Sequence, residues 1–421
     1  MNEYHSQPEL YYRNRWITPM IRLISREAPV VILTGARQVG KTTLLRSEAP
    51  FKDWPFHTLD DLAVQDLASK SPQTIWADDP TSVIDEVQRS PDILLAIKLA
   101  VDSSLEPQRF MLTGSANLLL MQNVSESLAG RVRYLQLNPM TLGEERSKPA
   151  PVFLDRLFAG ETLRQKEVRS EDPLPLILRG FMPGLLKLTN QTAFTGFWES
   201  YATTYLERDL RQLSQVDSLP DFRRFMQALA LRSGHLVNQT EIASDVGISQ
   251  PTIHRYLNLL ETSNLITRVQ AYFSNKTSRL KKSPKAYWLD PGLASYLCGI
   301  NDIDSLRGSR EVGFLFETML YMHLRVLASL TTPRIEIFGW RTTSGADVDF
   351  ILETGRKAIG IEAKLTDNLG YNDTKGLRML MEQDKRVILG LVAYTGSEVR
   401  RLADRIYALP WTCLTGIDDP F

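Results

Sequence analysis

Residues 35–42 read Gly35-Ala36-Arg37-Gln38-Val39-Gly40-Lys41-Thr42, a complete match to the pattern G-x-x-x-x-G-K-[ST]. The apolar run Pro29–Thr34 before it predicts a buried strand, and a helix is predicted from Lys41. In that context the backbone N–H groups can surround phosphates, Lys41 can reach the β- and γ-phosphates, and the Thr42 hydroxyl can ligate Mg²⁺. A Gly-rich turn that matches by chance is the alternative, and the flanking strand and helix argue against it. The predicted phosphate-binding residues are Gly35, Ala36, Arg37, Gln38, Val39, Gly40, Lys41, Thr42 and Thr43.

A pair of adjacent carboxylates ends a second apolar run. Thr81–Glu86 predicts a short strand that finishes in Asp85 and Glu86. Beside a phosphate loop, Asp85 would hold Mg²⁺, usually through water, and Glu86 would polarise the attacking water. An acidic pair behind a strand can also be a solvated loop, but its order and distance after the phosphate loop favour the functional interpretation.

A polar segment, Gly114-Ser115-Ala116-Asn117, follows a third predicted strand, Phe110–Thr113. A polar residue at this position can touch the γ-phosphate and help to place the water, and Asn117 is the candidate. A helix cap formed by Ser115 or Asn117 is an equally open interpretation.

The composition limits the class of protein. The 421 residues suggest two to three domains, and 43% apolar with 23% charged residues is ordinary for a globular protein. The 49 basic and 49 acidic residues cancel, so only a local basic patch could support nucleic-acid binding. The two cysteines form no CxxC, and neither an export signal nor a membrane-spanning apolar run is visible. We therefore expect a cytoplasmic protein without a membrane partner.

The pattern changes along the chain. The first third alternates apolar runs with helical patterns, which is typical of a parallel α/β sheet. Between Glu144 and Pro183 several prolines interrupt a charged stretch, helical patterns follow to about Ser263, and a last α/β segment starts near Gly313. We predict a phosphate-loop ATPase core (1–145), a linker and helical region (146–220), a winged helix-turn-helix (221–300) and a C-terminal α/β domain (301–421).

Residues 240–260 have the pattern of a helix-turn-helix. Thr240–Val246 predicts a short helix and Gly247–Ser249 a turn, with Ser249 as the N-cap of the next helix. The apolar side chains of this second helix face inward, so its polar side chains could enter a major groove. The predicted DNA-facing residues are Gln250, Thr252, His254, Arg255 and Asn258.

Two predicted strands, Leu265–Phe273 and Lys285–Leu289, resemble the wing of a winged helix. Residues 271–289 contain no acid, so the connection predicts a basic patch suited to phosphate contacts. A winged helix that serves as a structural lid or a protein contact is the alternative, and the basic patch favours DNA. The basic residues are Lys276, Arg279, Lys281, Lys282 and Lys285.

Carboxylates in the last segment suggest a second site. Glu317 lies in a helical pattern, and Asp349 and Glu362 are predicted on neighbouring strands of one hairpin. Glu362 and Lys364 point to the same face, because side chains two apart in a strand share a face. Two carboxylates that bind Mg²⁺ beside a lysine that orients water can cleave a phosphodiester.

The N-terminal motifs resemble the AAA+ ATPases of bacteria and archaea. The resemblance is carried by the phosphate loop, Asp60-Asp61 after Leu59, Val83–Val87, Leu112–Asn117 and Ser127–Arg131. More narrowly, these motifs and Tyr205–Leu210 are similar to a prokaryotic family that fuses this ATPase to an uncharacterised C-terminal domain. The resemblance implies ATP with Mg²⁺, a homo-oligomer, and Arg131 as the arginine that approaches the γ-phosphate. A surface ion pair is the alternative for Arg131.

The C-terminal pattern resembles the core of the PD-(D/E)XK nucleases. The resemblance implies Glu317 as the helical acid, Asp349 and Glu362 as ligands of Mg²⁺ or Mn²⁺, and Lys364 as the lysine. The sequence departs from the pattern because no proline precedes Asp349 and Asp347 is an additional acid. A nuclease-like fold without activity is the alternative.

Together, these patterns predict a Mg²⁺-dependent ATPase that engages DNA, with branched or broken DNA as candidates, and a C-terminal nuclease site. The alternative function is a nucleotide-dependent switch that regulates a protein partner and carries an inactive nuclease-like domain. DNA stimulation of ATP turnover would distinguish the two.

Overall fold

The structure is a computed structural model that describes residues 12–103, 108–114, 128, 130–204, 216, 218–273, 279, 283–342 and 345–421. The chain divides into two compact units. Unit 1 comprises Met1–Asn138 together with the short segment Thr262–Leu265. Unit 2 comprises Pro139–Glu261 and Ile266–Phe421. The following predicted positions lie outside the described residues: Asn117, Tyr205–Leu210, Lys276, Lys281 and Lys282.

A five-stranded parallel sheet forms the centre of the described part of unit 1, with the strand order β2-β3-β4-β1-β5. Its central strands are apolar and buried on both faces, as expected for parallel strands covered by helices. The α/β prediction is confirmed for this unit. Because β3, β4 and β1 are neighbours, the segments that follow them lie at one edge of the sheet. The strands are β1 (Val30–Thr34), β2 (Phe56–Thr58), β3 (Thr81–Asp85), β4 (Arg109–Thr113) and β5 (Val132–Gln136).

Helices flank this sheet. The helix that starts at Lys41 follows β1 through the phosphate loop, as the sequence predicts. Short 3₁₀ turns lie at Phe51–Asp53, Pro72–Ile75 and Val87–Arg89. The helices are α1 (Thr18–Glu27), α2 (Lys41–Ser47), α3 (Leu62–Lys70) and α4 (Ile93–Ser103).

A mixed sheet of seven described strands forms the C-terminal part of unit 2, in the order β6-β13-β14-β12-β11-β10-β9. The antiparallel β10–β11 pair is the predicted hairpin, and β11 also pairs with β12 in parallel. β7 and β8 form a separate antiparallel pair. The strands are β6 (Lys166–Glu167), β7 (Ile266–Val269), β8 (Lys285–Trp288), β9 (Glu336–Arg341), β10 (Asp347–Thr354), β11 (Lys357–Lys364), β12 (Val387–Tyr394), β13 (Glu398–Ala403) and β14 (Ile406–Pro410).

Helices occupy most of the remaining described part of unit 2. Gly247 has a left-handed φ of 75° and ends one helix. Two residues separate Gly247 from the start of the next helix, as predicted for the turn. The following helix buries Ile253, Tyr256, Leu257 and Leu260, the apolar face read from the sequence. The helices are α5 (Leu142–Glu145), α6 (Phe153–Ala159), α7 (Leu174–Arg179), α8 (Gln191–Tyr201), α9 (Leu219–Ala230), α10 (Gln239–Val246), α11 (Gln250–Thr262), α12 (Pro291–Leu297), α13 (Ile303–Gly308), α14 (Val312–Leu330) and α15 (Lys375–Gln383).

Across the ranges that the structure describes, no helix combines the length and apolar character needed to cross a membrane.

A buried histidine on α14 makes the stability of unit 2 depend on pH. The His323 Nε2 atom lies 3.1 Å from the backbone N–H of Leu142 and accepts its hydrogen bond, so the ring hydrogen is on Nδ1 and points to the Met319 carbonyl 2.8 Å away. Burial lowers the pKa of His323 from 6.5 to about 4.

We expect the free energy of unfolding to fall by about 3 kcal/mol as the pH drops from 6.5 to 4, because the unfolded chain takes up this proton and the folded chain does not. Urea unfolding at several pH values would measure the loss. His323→Gln should lower stability at neutral pH and flatten this part of the pH dependence. The same pH dependence in both proteins would contradict the assignment.

Candidate functional site

The phosphate loop closes around the side chain of Lys41. This lysine is 7% exposed, and its Nζ atom donates to the carbonyl oxygens of Gly35 and Ala36 at 3.0 and 3.1 Å. Burial lowers the pKa of Lys41, and the nearby Glu86 and Asp85 carboxylates oppose that effect. Gly35 is required by close packing, because a Cβ atom there would lie 2.4 Å from the Leu137 carbonyl oxygen. The ammonium group is therefore held inside the loop that the sequence predicts for phosphates.

Asp85 accepts hydrogen bonds from two hydroxyl groups. The Thr42 Oγ1 atom lies 3.1 and 3.2 Å from the two carboxylate oxygens, and the Thr113 hydroxyl also donates to Asp85. Parallel pairing of β3 with β4 brings Asp85 and Thr113 together at the carboxyl ends of these strands. Thr113 was not among the predicted site residues, although its position at the end of the strand beside β3 indicated that it would lie near Asp85.

Glu86 lies in a strained backbone conformation. Its φ of 59° is in the left-handed region, which costs a residue with a Cβ atom about 1 kcal/mol. Its backbone N–H lies 3.4 Å from Thr113 Oγ1, and its carboxylate accepts from the Gln88 side chain. Strain of this kind clusters at functional sites. The turn sends the chain away from β3 directly after Asp85.

The residues around the loop fit ATP with Mg²⁺. Thr42 and Asp85 offer a hydroxyl and a carboxylate oxygen, the hard ligands that Mg²⁺ prefers, and Lys41 offers a positive charge for phosphates. When bound, MgATP would supply the phosphoryl group that is transferred.

The predicted arginine of this site forms an ion pair in the structure. Arg131 pairs with Asp102, and the two side chains are equally exposed, at 36%. This is the surface ion pair that the sequence left open as the alternative. A role of Arg131 or Asn117 at the γ-phosphate stays a prediction.

The four predicted C-terminal residues lie around one cavity of about 1040 Å³. Glu317 comes from α14, Asp349 from β10, and Glu362 and Lys364 from β11. The Lys364 Nζ atom donates to Glu362 Oε1 at 2.8 Å, as their shared strand face predicts. Asp349 Oδ2 accepts from the backbone N–H of Ala363 at 2.8 Å.

Two residues of β8 complete this cluster. The Lys285 Nζ atom lies 3.0 Å from Glu317 Oε1 and 3.4 Å from Asp349 Oδ1, and the Tyr287 hydroxyl donates to the same Glu317 oxygen. We call Glu317, Asp349, Glu362, Lys364, Lys285 and Tyr287 the C-terminal cluster.

The prediction that Arg279 and Lys285 belong to an exposed basic wing is wrong. The Lys285 side chain is 11% exposed inside the C-terminal cluster, and Arg279 is buried against Glu353 at 2.6 Å. The acids that pair with Arg279 and Lys285 are far away in the sequence. The absence of acids from residues 271–289 therefore did not reveal them. The alternation of Lys285 with Tyr287 was the available signal, because it places both on one face of β8.

Burial and repulsion dominate the electrostatics of the C-terminal cluster. Burial, reinforced by Asp349, raises the pKa of Glu317 to about 7 and also raises the pKa of Glu362. Burial acts against the charge of Lys285, but Glu317 and Asp349 outweigh it and raise the pKa of this lysine. Glu362 Oε2 is buried and has no hydrogen-bond partner within the described part of the chain. The carboxylates of the cluster therefore outnumber its lysines, and one carboxylate oxygen is left without a hydrogen-bond donor from the described ranges.

The predicted divalent metal does not fit the C-terminal cluster as it stands. In the ranges given above, no three His, Cys, Asp or Glu side chains are grouped so that they could hold a metal ion. The Lys285 ammonium lies where an ion shared by Glu317 and Asp349 would have to bind.

The second helix of the helix-turn-helix pair presents the predicted polar face. Gln250, His254 and Arg255 are exposed, and Thr252 is half-buried beside the capping Ser249 hydroxyl. The His254 ring contacts the side-chain amide of Asn258 at 3.0 Å. Three of the five predicted side chains are exposed, Thr252 and Asn258 are half-buried, and the role of this face in DNA binding stays a prediction.

Comparison with known proteins covers nearly the whole chain. The family described as "AAA domain" matches residues 27–145, and two domains of unknown function, DUF8612 and DUF4143, match residues 171–304 and 312–414. The uncharacterized proteins Rv2008c of Mycobacterium tuberculosis and Mb2031c of Mycobacterium bovis are each 31% identical over 392 residues, which is 93% of this chain and 82% of theirs. The chain belongs to their family. Its AAA domain indicates nucleotide-dependent ATPase activity, and the nucleotide of this AAA-domain family is expected to be ATP.

The solved structures that match this chain resemble it only weakly. A signal transduction ATPase (STAND) protein with a tetratricopeptide repeat sensor, PH0952 of Pyrococcus horikoshii, is 13% identical, with a TM-score of 0.24, and the match covers 75% of this chain and 45% of that one. A DNA polymerase III gamma subunit-related protein of Thermotoga maritima is 10% identical, with a TM-score of 0.22, over 58% of this chain and 98% of that one. Neither likeness carries an argument about this AAA-domain protein.

Proposed function

We propose that this member of the family is a Mg²⁺-dependent ATPase that engages DNA and assembles as a homo-oligomer. The observation that carries the ATPase proposal is the Asp85 carboxylate, which accepts from the Thr42 and Thr113 hydroxyls beside the enclosed Lys41. In this proposal Lys41 and the loop backbone bind the phosphates, and Thr42 and Asp85 hold Mg²⁺. Glu86 takes a proton from the attacking water. In the oligomer, Arg131 would leave Asp102 and approach the γ-phosphate.

A winged helix that contacts DNA is the second part of the proposal. It is supported by the arrangement of α10, α11 and the β7–β8 pair, and by the exposed polar face of α11. Side chains at the start of a recognition helix read bases, and nearby basic side chains bind phosphates.

Charge reversal on α11 tests this part. Arg255→Glu should weaken binding to a short duplex and lower the slope of log affinity against log salt by about 1, because one phosphate contact is lost and a repulsive charge is added. Fluorescence anisotropy at several salt concentrations measures both quantities. Lys375→Glu, at another exposed base of unit 2, is the matched control and should have little effect on affinity. Equal effects of the two reversals would argue against α11 as the contact.

A nucleotide-dependent switch that regulates a protein partner is the second candidate function. The observation that favours it is the burial of Arg279 and Lys285, which withdraws two bases from the surface proposed for DNA. ATP turnover measured with duplex, single-stranded and branched DNA separates the candidates. Salt-dependent stimulation of ATP turnover by DNA supports DNA engagement. ATP turnover that is the same with and without every DNA form supports the switch. DNA cleavage is not part of the proposed function, because the Lys285 ammonium pairs with Glu317 and Asp349 in the C-terminal cluster.

A further inference from the structure

We propose that the Lys285 ammonium is the resident cation of the C-terminal cluster and excludes divalent metal ions from it. This inference concerns unit 2 and stands independently of the ATPase proposal. It starts from the position of Lys285 Nζ, 3.0 Å from Glu317 Oε1 and 3.4 Å from Asp349 Oδ1. Carboxylate oxygens from two different elements therefore share one positive charge, which is what a bridging metal ion would do.

Some of the ligand atoms that a metal ion would need are already in use. Glu317 Oε1 receives both the Lys285 ammonium and the Tyr287 hydroxyl, and Asp349 Oδ2 is held by the backbone N–H of Ala363. A divalent ion would have to break the contact with Lys285 and would also repel its ammonium group. The tethered lysine has the entropic advantage over a free ion, because the chain already holds it in place.

The surrounding backbone leaves room for this lysine. Gly339 of β9 lies against the Lys285 stem, where an added Cβ atom would be 3.4 Å from Cδ. At Gly234 an added Cβ atom would come within 3.2 Å of Glu317 Oε2. A side chain at Gly234 would therefore crowd Glu317, whereas one at Gly339 would make ordinary contact with the Lys285 stem.

With Lys285 in place, no three described acids are grouped so that they could hold a metal ion; removing the Lys285 charge should let Glu317 and Asp349 rearrange around a divalent cation. Two lysines, Lys285 and Lys364, face three buried carboxylates, and Glu362 Oε2 has no partner among the described residues. Without the Lys285 ammonium, the carboxylate oxygens of the cluster would offer hard ligands, and their negative charge would not be fully compensated. Mg²⁺ and Mn²⁺ prefer such ligands.

Calorimetric titration of the intact, nucleotide-free chain with Mn²⁺ tests the inference. Lys285→Met should gain one Mn²⁺ site that binds at least about tenfold more tightly than any ion at this cluster in the unmutated chain. Lys285→Arg keeps the charge and should gain no site. Adding Asp349→Asn to Lys285→Met should remove the gained site, which assigns it to the cluster and separates it from metal bound at the phosphate loop.

Three results would overturn the inference. The first is a folded Lys285→Met protein that gains no Mn²⁺ site. The second is a Mn²⁺ site in the unmutated chain that Asp349→Asn alone removes, and the third is metal-dependent DNA cleavage by the unmutated chain that Asp349→Ala abolishes. If thermal unfolding shows that Lys285→Met does not fold, the comparison of Asp349→Asn with the unmutated chain still decides. Loss of nucleotide binding in a phosphate-loop variant bears on the ATPase proposal alone.

Discussion

Lys41→Ala is expected to abolish ATP binding or to weaken it severely. The substitution removes the buried ammonium that the loop holds at the Gly35 and Ala36 carbonyls. Lys41 is the group that faces the β- and γ-phosphates in this loop pattern. Equilibrium binding of a fluorescent ATP analogue measures the loss. Lys52→Ala, at an exposed lysine of the same unit, should bind ATP like the unmutated chain.

Glu86→Gln is expected to keep ATP binding and to lose turnover by at least about 100-fold, the usual contribution of a general base. Glutamine keeps the size of the side chain and its contact with Gln88, but it cannot take the proton of the attacking water. Phosphate release under saturating MgATP measures this rate. Glu27→Gln, an exposed site on α1, controls for the loss of one carboxylate. Turnover at the normal rate in both Lys41→Ala and Glu86→Gln would overturn the ATPase proposal.

Glu353→Ala is expected to lower the free energy of unfolding of unit 2 by roughly 3–5 kcal/mol, the usual cost of breaking a buried ion pair. Glu353 receives both terminal nitrogens of Arg279, at 2.6 and 3.0 Å, and Arg386 at 3.2 Å. The Arg279 and Glu353 side chains are only 7% and 9% exposed, so the substitution leaves a guanidinium buried without its carboxylate. The Arg279 guanidinium also lies over the Phe338 ring at 4.4 Å, which restricts its escape to solvent.

Urea unfolding of the intact chain, followed by tryptophan fluorescence, measures this change. Asp404→Ala is the matched control, because its ion pair with Arg401 is 60% and 76% exposed and should contribute less than about 1 kcal/mol. Similar losses of unfolding free energy in both variants would show that the buried Arg279–Glu353 pair contributes no more to stability than an exposed pair.

The nucleotide site was predictable because its parts are local. The phosphate loop, the strand before it and the helix after it form one continuous stretch, and Asp85 follows from the end of a second apolar run. The hairpin that carries Asp349 and Glu362 is local for the same reason, since two adjacent strands and a short turn determine which side chains are neighbours.

The partners of Arg279 and Lys285 could not be predicted in this way. Arg279 meets an acid 74 residues away, and Lys285 meets acids 32 and 64 residues away. Periodicity reports which face of a strand is buried, but it does not report which distant carboxylate packs against that face. A stretch without acids therefore predicted an exposed basic wing, although tertiary packing supplies the missing acids.

The two buried ion pairs have a mechanical consequence for the β7–β8 pair. Lys285 begins β8 and Arg279 precedes it in the chain, and both pair with carboxylates of β10. Buried ion pairs lose their stabilisation abruptly once the partners separate, because each group is then left without its counter-charge. Moving β8 away from β10 would therefore break both ion pairs and leave their charges uncompensated. The end of the β7–β8 pair that begins at Lys285 is therefore held against the C-terminal sheet by buried charge.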